Sequence, residues 1–154
     1  MIHKSYYLFL LSVYLLTGLS FARGLALDAS IGSVTKSDDI LSSNLDVSAH
    51  LWYKFDQMIF VGGSSGIQMI GDYRHIPALG SVWLRLPFGG RVLPVATADA
   101  GYNFGDDPQF VWRGGGGLDI KNGDRSSILV LGGYERFAKL GGHYYLRAGF
   151  LLEF

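Results

Sequence analysis

The side chains best suited to catalysis lie in one short segment. Asp46, Ser48 and His50 are an acid, a hydroxyl and an imidazole at alternate positions, the residue types of a nucleophile and its activating base. On a β-strand all three would point to one face, but neighbours on that face are about 6.5–7 Å apart. A nucleophile and its base must come within about 3 Å. The spacing therefore favours a polar lining over a catalytic triad.

Two further histidines are candidate bases or ligands. His75 follows Asp72 in the longest polar break of the sequence, so we expect a solvated loop residue. His143 opens the last alternating segment, with Glu135 and Arg136 a short distance before it. The chain has no Cys, which excludes thiolate metal sites, a Cys nucleophile and disulfides. No metal-ligand cluster stands out, and we expect no metal and no cofactor.

Composition excludes other classes of function. The 154 residues suffice for one domain, and 13 basic residues balance 13 acidic ones, so no basic excess indicates nucleic-acid binding. The glycine run 114–117 lacks the Lys-Ser/Thr of a phosphate loop and does not open a helix. Glycines inside a strand instead favour curvature or close packing.

The first residues have the three parts of a signal peptide. Lys4 supplies a positive charge, residues 5–16 are mostly apolar, and Ser20 and Ala22 place small residues where a signal peptidase reads. A membrane-spanning helix needs about twenty apolar residues, more than this run offers. We predict cleavage after Ala22, which divides the chain into a signal peptide, 1–22, and one domain, 23–154.

The remainder alternates between apolar and polar residues, the period of a β-strand. The clearest segment is Asn44–Phe55, in which Leu45, Val47 and Leu51 share one face while Asp46 and His50 share the other. Seven more segments show the pattern to a varying degree, and we predict an all-β domain of about eight strands. They are Gly24–Val34, Gln57–Ile67, Gly80–Phe88, Arg91–Asn103, Gln109–Lys121, Ser126–Arg136 and His143–Phe154.

The breaks between these segments alternate in length. Asp56-Gln57, Gly89-Gly90 and 122–124 are turn sequences. Longer breaks near 35–43, 68–79, 105–108 and 137–142 lie between them. Short turns at one end and longer loops at the other are the plan of a transmembrane β-barrel. The sequence therefore predicts a closed, antiparallel, up-and-down barrel.

In most of these segments the charged residues share one strand parity, and the other parity is uncharged. Facing lipid, each of these charges would be costly, whereas acids and bases inside a barrel can neutralise one another. Aromatic residues of the apolar parity cluster at the strand ends, as in the two interfacial girdles of membrane barrels. We therefore predict a charge network in the lumen, formed by Asp28, Asp46, Lys54, Arg85, Arg91, Asp99, Arg113, Asp119, Glu135 and Arg147. A soluble β-sandwich or lipocalin-like barrel is the alternative.

The C-terminus resembles the assembly signal of bacterial outer-membrane proteins. That signal has a polar residue, a glycine two places on, and then a hydrophobic and a terminal aromatic residue, which Arg147, Gly149, Leu152 and Phe154 match. The whole plan is similar to the small eight-stranded barrels of the OmpA/OmpX type. The resemblance implies an outer-membrane location, contact with the barrel-assembly machinery and periplasmic chaperones, and a surround of membrane lipids and lipopolysaccharide. We expect a monomer.

Three functions are compatible with such a barrel. Eight strands leave room only for side chains, so a plugged, non-enzymatic protein with a structural or surface-interaction role comes first. A lipid-modifying enzyme comes second, because outer-membrane lipid A deacylases resemble the chain in size and use a His, a Ser and an acid. Their His-x-Ser pairing is absent, since His143 is followed by Tyr144 and Tyr145. A narrow channel or small-ligand carrier comes third.

Overall fold

The structure, a computed structural model, describes residues 24–154. The predicted signal peptide and its cleavage site lie outside the described residues. The described part contains nine strands in one antiparallel sheet. They are β1 (Leu25–Lys36), β2 (Asp39–Lys54), β3 (Ile59–Ile70), β4 (Tyr73–His75), β5 (Pro77–Arg85), β6 (Val92–Asn103), β7 (Gln109–Lys121), β8 (Ser126–Phe137) and β9 (Gly141–Glu153). No helix in this part of the chain is long and apolar enough to cross a membrane.

The sheet closes into an eight-stranded barrel. Strands β4 and β5 pair in succession with the same side of β3, from Ile70↔Tyr73 to Ile59↔Leu84, and so form one barrel strand with a break at Ile76. Strand β1 pairs with β2 and also with β9, from Ala26↔Glu153 onward. This closure leaves no open sheet edge, which a barrel in hydrocarbon requires. The predicted fold class is confirmed.

The connections differ from the predicted alternation. Both chain ends and residues 55–58, 86–91 and 122–125 lie at one end, which we call the terminal end. At the opposite end, the far end, the links are residues 37–38, 71–72, 104–108 and 138–140. The long loops predicted near 35–43 and 68–79 were wrong. Strand pairing continues through these polar stretches to tight turns, one of which uses Gly71 at φ 59°.

Side chains alternate between the lumen and the outer wall along every long strand. At the terminal end, an apolar cluster of Ala26, Trp52, Phe60, Trp83, Val95, Leu129, Leu131 and Leu151 fills the interior. A smaller cluster of Leu79, Val111 and Phe137 fills the far end, with Ile70 and Leu140 against it. Most buried charged side chains lie on the same inward-facing positions as these clusters. The interior is therefore a packed core with charges built into it.

Glycines shape one side of the barrel. Gly115 on β7 and Gly133 on β8 are paired residues facing the lumen, and a Cβ on Gly115 would lie 2.2 Å from the Tyr145 hydroxyl. The Tyr145 ring therefore extends across β8 and packs against the backbone of the two glycines. The predicted role of the run 114–117, close packing inside a strand, agrees with this geometry.

Candidate functional site

The lumen contains three arginine–carboxylate pairs at different depths. An Arg85 guanidinium nitrogen lies 2.5 Å from the Asp119 carboxylate. Arg113 Nε lies 3.0 Å from Glu135 Oε2, a pair that joins neighbouring strands. Arg147 Nε lies 3.9 Å from Asp46 Oδ2. All six side chains are buried, so each arginine neutralises an acid that water reaches poorly.

The terminal rim of the lumen is organised around one carboxylate. Glu153 accepts hydrogen bonds from Lys54 at 2.5 Å, Lys121 at 2.8 Å and Arg85 at 2.8 Å. These donors come from β2, β7 and β5, and Glu153 is the last residue of β9. One side chain thus ties four strands together across the barrel.

The residues of the predicted polar lining do not form a triad. His50 Nδ1 lies 2.9 Å from Asp28 Oδ1, and Trp52 donates to the other oxygen of Asp28 at 2.5 Å. Ser48 instead contacts Ser30 at 2.9 Å and accepts a hydrogen bond from Arg147 at 2.9 Å. The histidine and the serine are therefore engaged in separate contacts, as strand spacing predicts.

Two members of the predicted charge network, Asp99 and Arg91, form no ion pair with another described side chain. Asp99 is buried opposite Arg113 across the β6–β7 pair, and neither of its oxygens has a hydrogen-bond partner among the described residues. Arg91 was predicted in the lumen, and this was wrong. It is exposed in the connection 86–91, because β6 begins only at Val92.

The far mouth of the lumen is lined by two histidines. His75, expected in a solvated loop, is instead fully buried on β4, and the Asn103 amide lies 2.6 Å from its Nδ1. The ring centroids of His75 and His143 lie 5.3 and 5.4 Å from that of Phe137. An aromatic layer thus covers the far end of the charged interior.

The outer wall is apolar and exposed. Several of its aliphatic side chains are between 43% and 61% accessible, far more than side chains in the core of a soluble protein. They include Leu27, Ile31, Leu51, Val82 and Leu146. Aromatic residues ring both ends of this surface. At the far end they are Tyr102, Phe110, Trp112 and Tyr144, and at the terminal end Tyr53, Phe55, Phe88 and Phe154.

The residues of the C-terminal signature lie on both faces of β9. Arg147 points into the lumen, and Gly149 lies against β1, where a Cβ would be 2.6 Å from the Ala29 carbonyl oxygen. Leu152 and Phe154 are exposed on the outer wall, and the Phe154 backbone N–H donates to Leu25 at 2.8 Å. The signature thus coincides with the seam that closes the barrel.

Sequence reasoning missed several partners inside the lumen. Gln68, which hydrogen-bonds both Glu135 oxygens at 3.1 Å, and Lys121 were not among the predicted network residues. Lys121 has the strand parity of Arg113 and Asp119, which was the available signal, whereas Gln68 lies in the predicted break 68–79 and gave none. Within residues 24–154, no group of three or more potential ligand side chains could hold a metal ion.

Comparisons with known proteins give the fold. No protein-family model and no curated protein matches this chain in sequence. The neisserial surface protein A structure covers 84% of this chain and 96% of its own, with a TM-score of 0.69 and 11% identity. The structure of the outer membrane protein OprG from Pseudomonas aeruginosa covers 86% of this chain and 97% of its own, with a TM-score of 0.58 and 11% identity. A de novo designed transmembrane β-barrel covers 86% of this chain and 96% of its own, with a TM-score of 0.59 and 13% identity.

At these identities the likenesses show the fold alone. The chain therefore has the fold of the small eight-stranded outer-membrane barrels, as its resemblance to the OmpA/OmpX type implied.

Proposed function

We propose that this protein is an integral outer-membrane β-barrel with a filled polar lumen, serving a structural or surface-interaction role without catalysis. The inverted surface carries the proposal: exposed leucine, isoleucine and valine side chains cover the outer wall, while Arg113, Arg147 and Glu135 are buried inside. In water the outer wall would be a large apolar patch, which drives aggregation. In lipid the same wall is solvated, and the charges are shielded within the barrel.

The packed interior argues against a wide channel. At the terminal end, Phe60 stacks on Trp83 with ring centroids 5.2 Å apart, and Trp52 meets Trp83 edge to face at 5.5 Å. Phe137 and its apolar neighbours occupy the far end. A diffusion pore needs a continuous water path, which these two clusters interrupt. We expect planar-bilayer recordings to show no large, steady conductance, and a porin-like current would overturn the filled-lumen proposal.

The positions of the histidines do not favour a lipid-modifying enzyme. His50, His75 and His143 are all buried on the lumen side, and each contacts other lumen side chains. Acyl chains of membrane lipids reach only the outer wall. Mass spectrometry of lipid A from cells with and without the protein should therefore give the same acylation pattern.

Folding in lipid is the direct test of the proposal. Protein refolded into phosphatidylcholine vesicles should migrate differently on gels before and after boiling, because a closed hydrogen-bond ladder resists detergent until heated. A monomeric β-protein that stays soluble without detergent would contradict membrane insertion. Mature protein recovered from membranes should begin at Arg23, and an intact Met1 would contradict export by a cleaved signal peptide.

Assembly partners follow from the same proposal. We place the terminal end at the periplasmic side, where the barrel-assembly machinery and periplasmic chaperones would meet the exposed Phe154 ring. The short links at the far end leave little loop surface for adhesion. Interactions of the folded barrel would therefore occur mainly through its outer wall and rims.

A further inference from the structure

Among the strand side chains that the structure describes, the charged residues of the outer wall are confined to one end and one sign. Leaving aside 39–43, the outward-facing strand positions carry two charged side chains, Arg74 on β4 and Arg136 on β8. Both are exposed and both lie at the far end. The lysines near the terminal rim, Lys54 and Lys121, instead face the lumen, where they bind Glu153. The wall is thus cationic at one interface and uncharged at the other.

Each of these arginines lies beside a glycine and lacks an ion-pair partner among the described side chains. Arg136 is paired with Trp112 on one side and with Gly142 on the other. Gly105 lies against the Arg74 backbone, where a Cβ would clash with the Arg74 carbonyl oxygen. Neither guanidinium forms an ion pair within 4.0 Å with another described side chain. The nearby acids are engaged elsewhere: Asp106 accepts from the Arg74 backbone N–H at 2.8 Å, and Asp107 binds Lys139.

The surroundings of Arg136 are those of a membrane interface. Trp112 is 42% exposed directly across the strand pair, and Tyr134 and Tyr144, one row nearer the barrel centre, have ring centroids 5.5 Å apart. Such rings settle at the level of lipid headgroups. A guanidinium at that depth presents paired N–H donors that match the oxygens of a phosphate.

We propose that Arg74 and Arg136 bind the phosphate groups of lipopolysaccharide, and so set the far end in the outer leaflet. This inference rests on the proposed membrane function. Two cations on the outward wall, neither of them in an ion pair with a described side chain, favour a surface rich in phosphate. The matching terminal wall, which lacks them, would then face the periplasmic leaflet.

The test compares two double variants in detergent micelles titrated with labelled lipopolysaccharide. Each cation near an anionic membrane surface contributes about 1 kcal/mol, which is about fivefold in affinity. Arg74→Gln with Arg136→Gln should therefore raise the apparent Kd about 25-fold. The matched control, Arg91→Gln with Arg125→Gln, removes two exposed arginines from the terminal end. It should change the apparent Kd by less than about twofold.

Two probes separate the possible outcomes. Dephosphorylated lipopolysaccharide should bind weakly and equally to all forms, and phosphatidylglycerol vesicles should compete less than intact lipopolysaccharide at equal phosphate concentration. Equal losses in both double variants, no loss in either, or full competition by phosphatidylglycerol would overturn the inference. In each of these cases, heat-modifiable protein in phosphatidylcholine vesicles would leave the proposed membrane function standing. Failure to insert there would refute that function itself.

Discussion

Replacing Glu153 by Gln is the sharpest test of how the barrel is held closed. The substitution keeps the size and shape of the side chain and removes its charge. Three cations then surround a neutral amide, and only Arg85 retains an acid, Asp119, at 2.5 Å. Lys54 and Lys121 lose the carboxylate that each contacts within 2.8 Å. The substitution therefore affects contacts among four strands by changing one carboxylate.

The magnitude follows from the burial of the partners. Removing one partner of a buried ion pair costs about 3–5 kcal/mol. Glu153 is 9% exposed and Arg85 4%, which places their contact in that class. The two lysine side chains are 26% and 24% exposed and can turn toward water, which reduces their share. With Asp119 still present, we expect a loss of about 2–3 kcal/mol in the free energy of unfolding.

Urea unfolding of the barrel in lipid vesicles measures this loss. The midpoint for Glu153→Gln should fall while the slope stays near that of the wild type, because the unfolded surface area is the same. Asp124→Asn is the matched control, an exposed acid in the connection 122–125 that should change stability by less than about 0.5 kcal/mol. If both variants unfold at the wild-type midpoint, Glu153 does not hold the strands together and the reasoning fails.

Three further predictions address packing, charge and assembly. Gly115→Ala should destabilise the barrel by about 1–3 kcal/mol, because its methyl would lie 2.2 Å from a tyrosine hydroxyl, whereas Gly114→Ala, with nothing within 4 Å, should be nearly neutral in the same urea assay. Arg113→Met should cost about 3–5 kcal/mol by leaving Glu135 buried without its partner, and adding Glu135→Leu should recover most of that loss; a double variant as unstable as the single one contradicts the pairing. Deleting Phe154 should lower the folded protein in outer membranes, measured by heat-modifiable bands, far more than it lowers secretion, and normal membrane levels would refute its role as an assembly signal.

The lumen and wall positions of most strands could be predicted from residue types alone. A strand places successive side chains on opposite faces, so the alternation in Asn44–Phe55 identifies Asp46 and His50 as inward before any strand pairing is known. The same parity argument places Arg85, Arg113 and Arg147 inside, where the structure has them. This works because the interior of a small barrel is the only place where a charged parity can be neutralised without facing lipid.

Strand ends were harder to predict because pairing overrides local preference. Residues 35–43 are mostly polar, and 68–79 contain Gly71, Asp72 and Pro77, residue types that are usual in turns and loops. In the folded barrel their backbone groups pair across tight turns, as in Thr35↔Ser43 and Gln68↔His75. The latter pairing carries His75 into the lumen. Its burial depends on a hairpin whose register no local pattern specifies.

Which lumen side chains pair with one another could not be predicted from the sequence, for a geometric reason. Arg85 on β5 reaches Asp119 on β7, and Arg147 on β9 reaches Asp46 on β2, so both pairs skip one intervening strand. In a narrow barrel, inward side chains converge toward the axis, and the shear of the sheet decides which of them meet. Shear is a property of the closed sheet, and it exists only once β1 has paired with β9. These ion pairs therefore depend on closure, and Glu153, which accepts hydrogen bonds from three donors, lies at the end of the strand that completes the barrel.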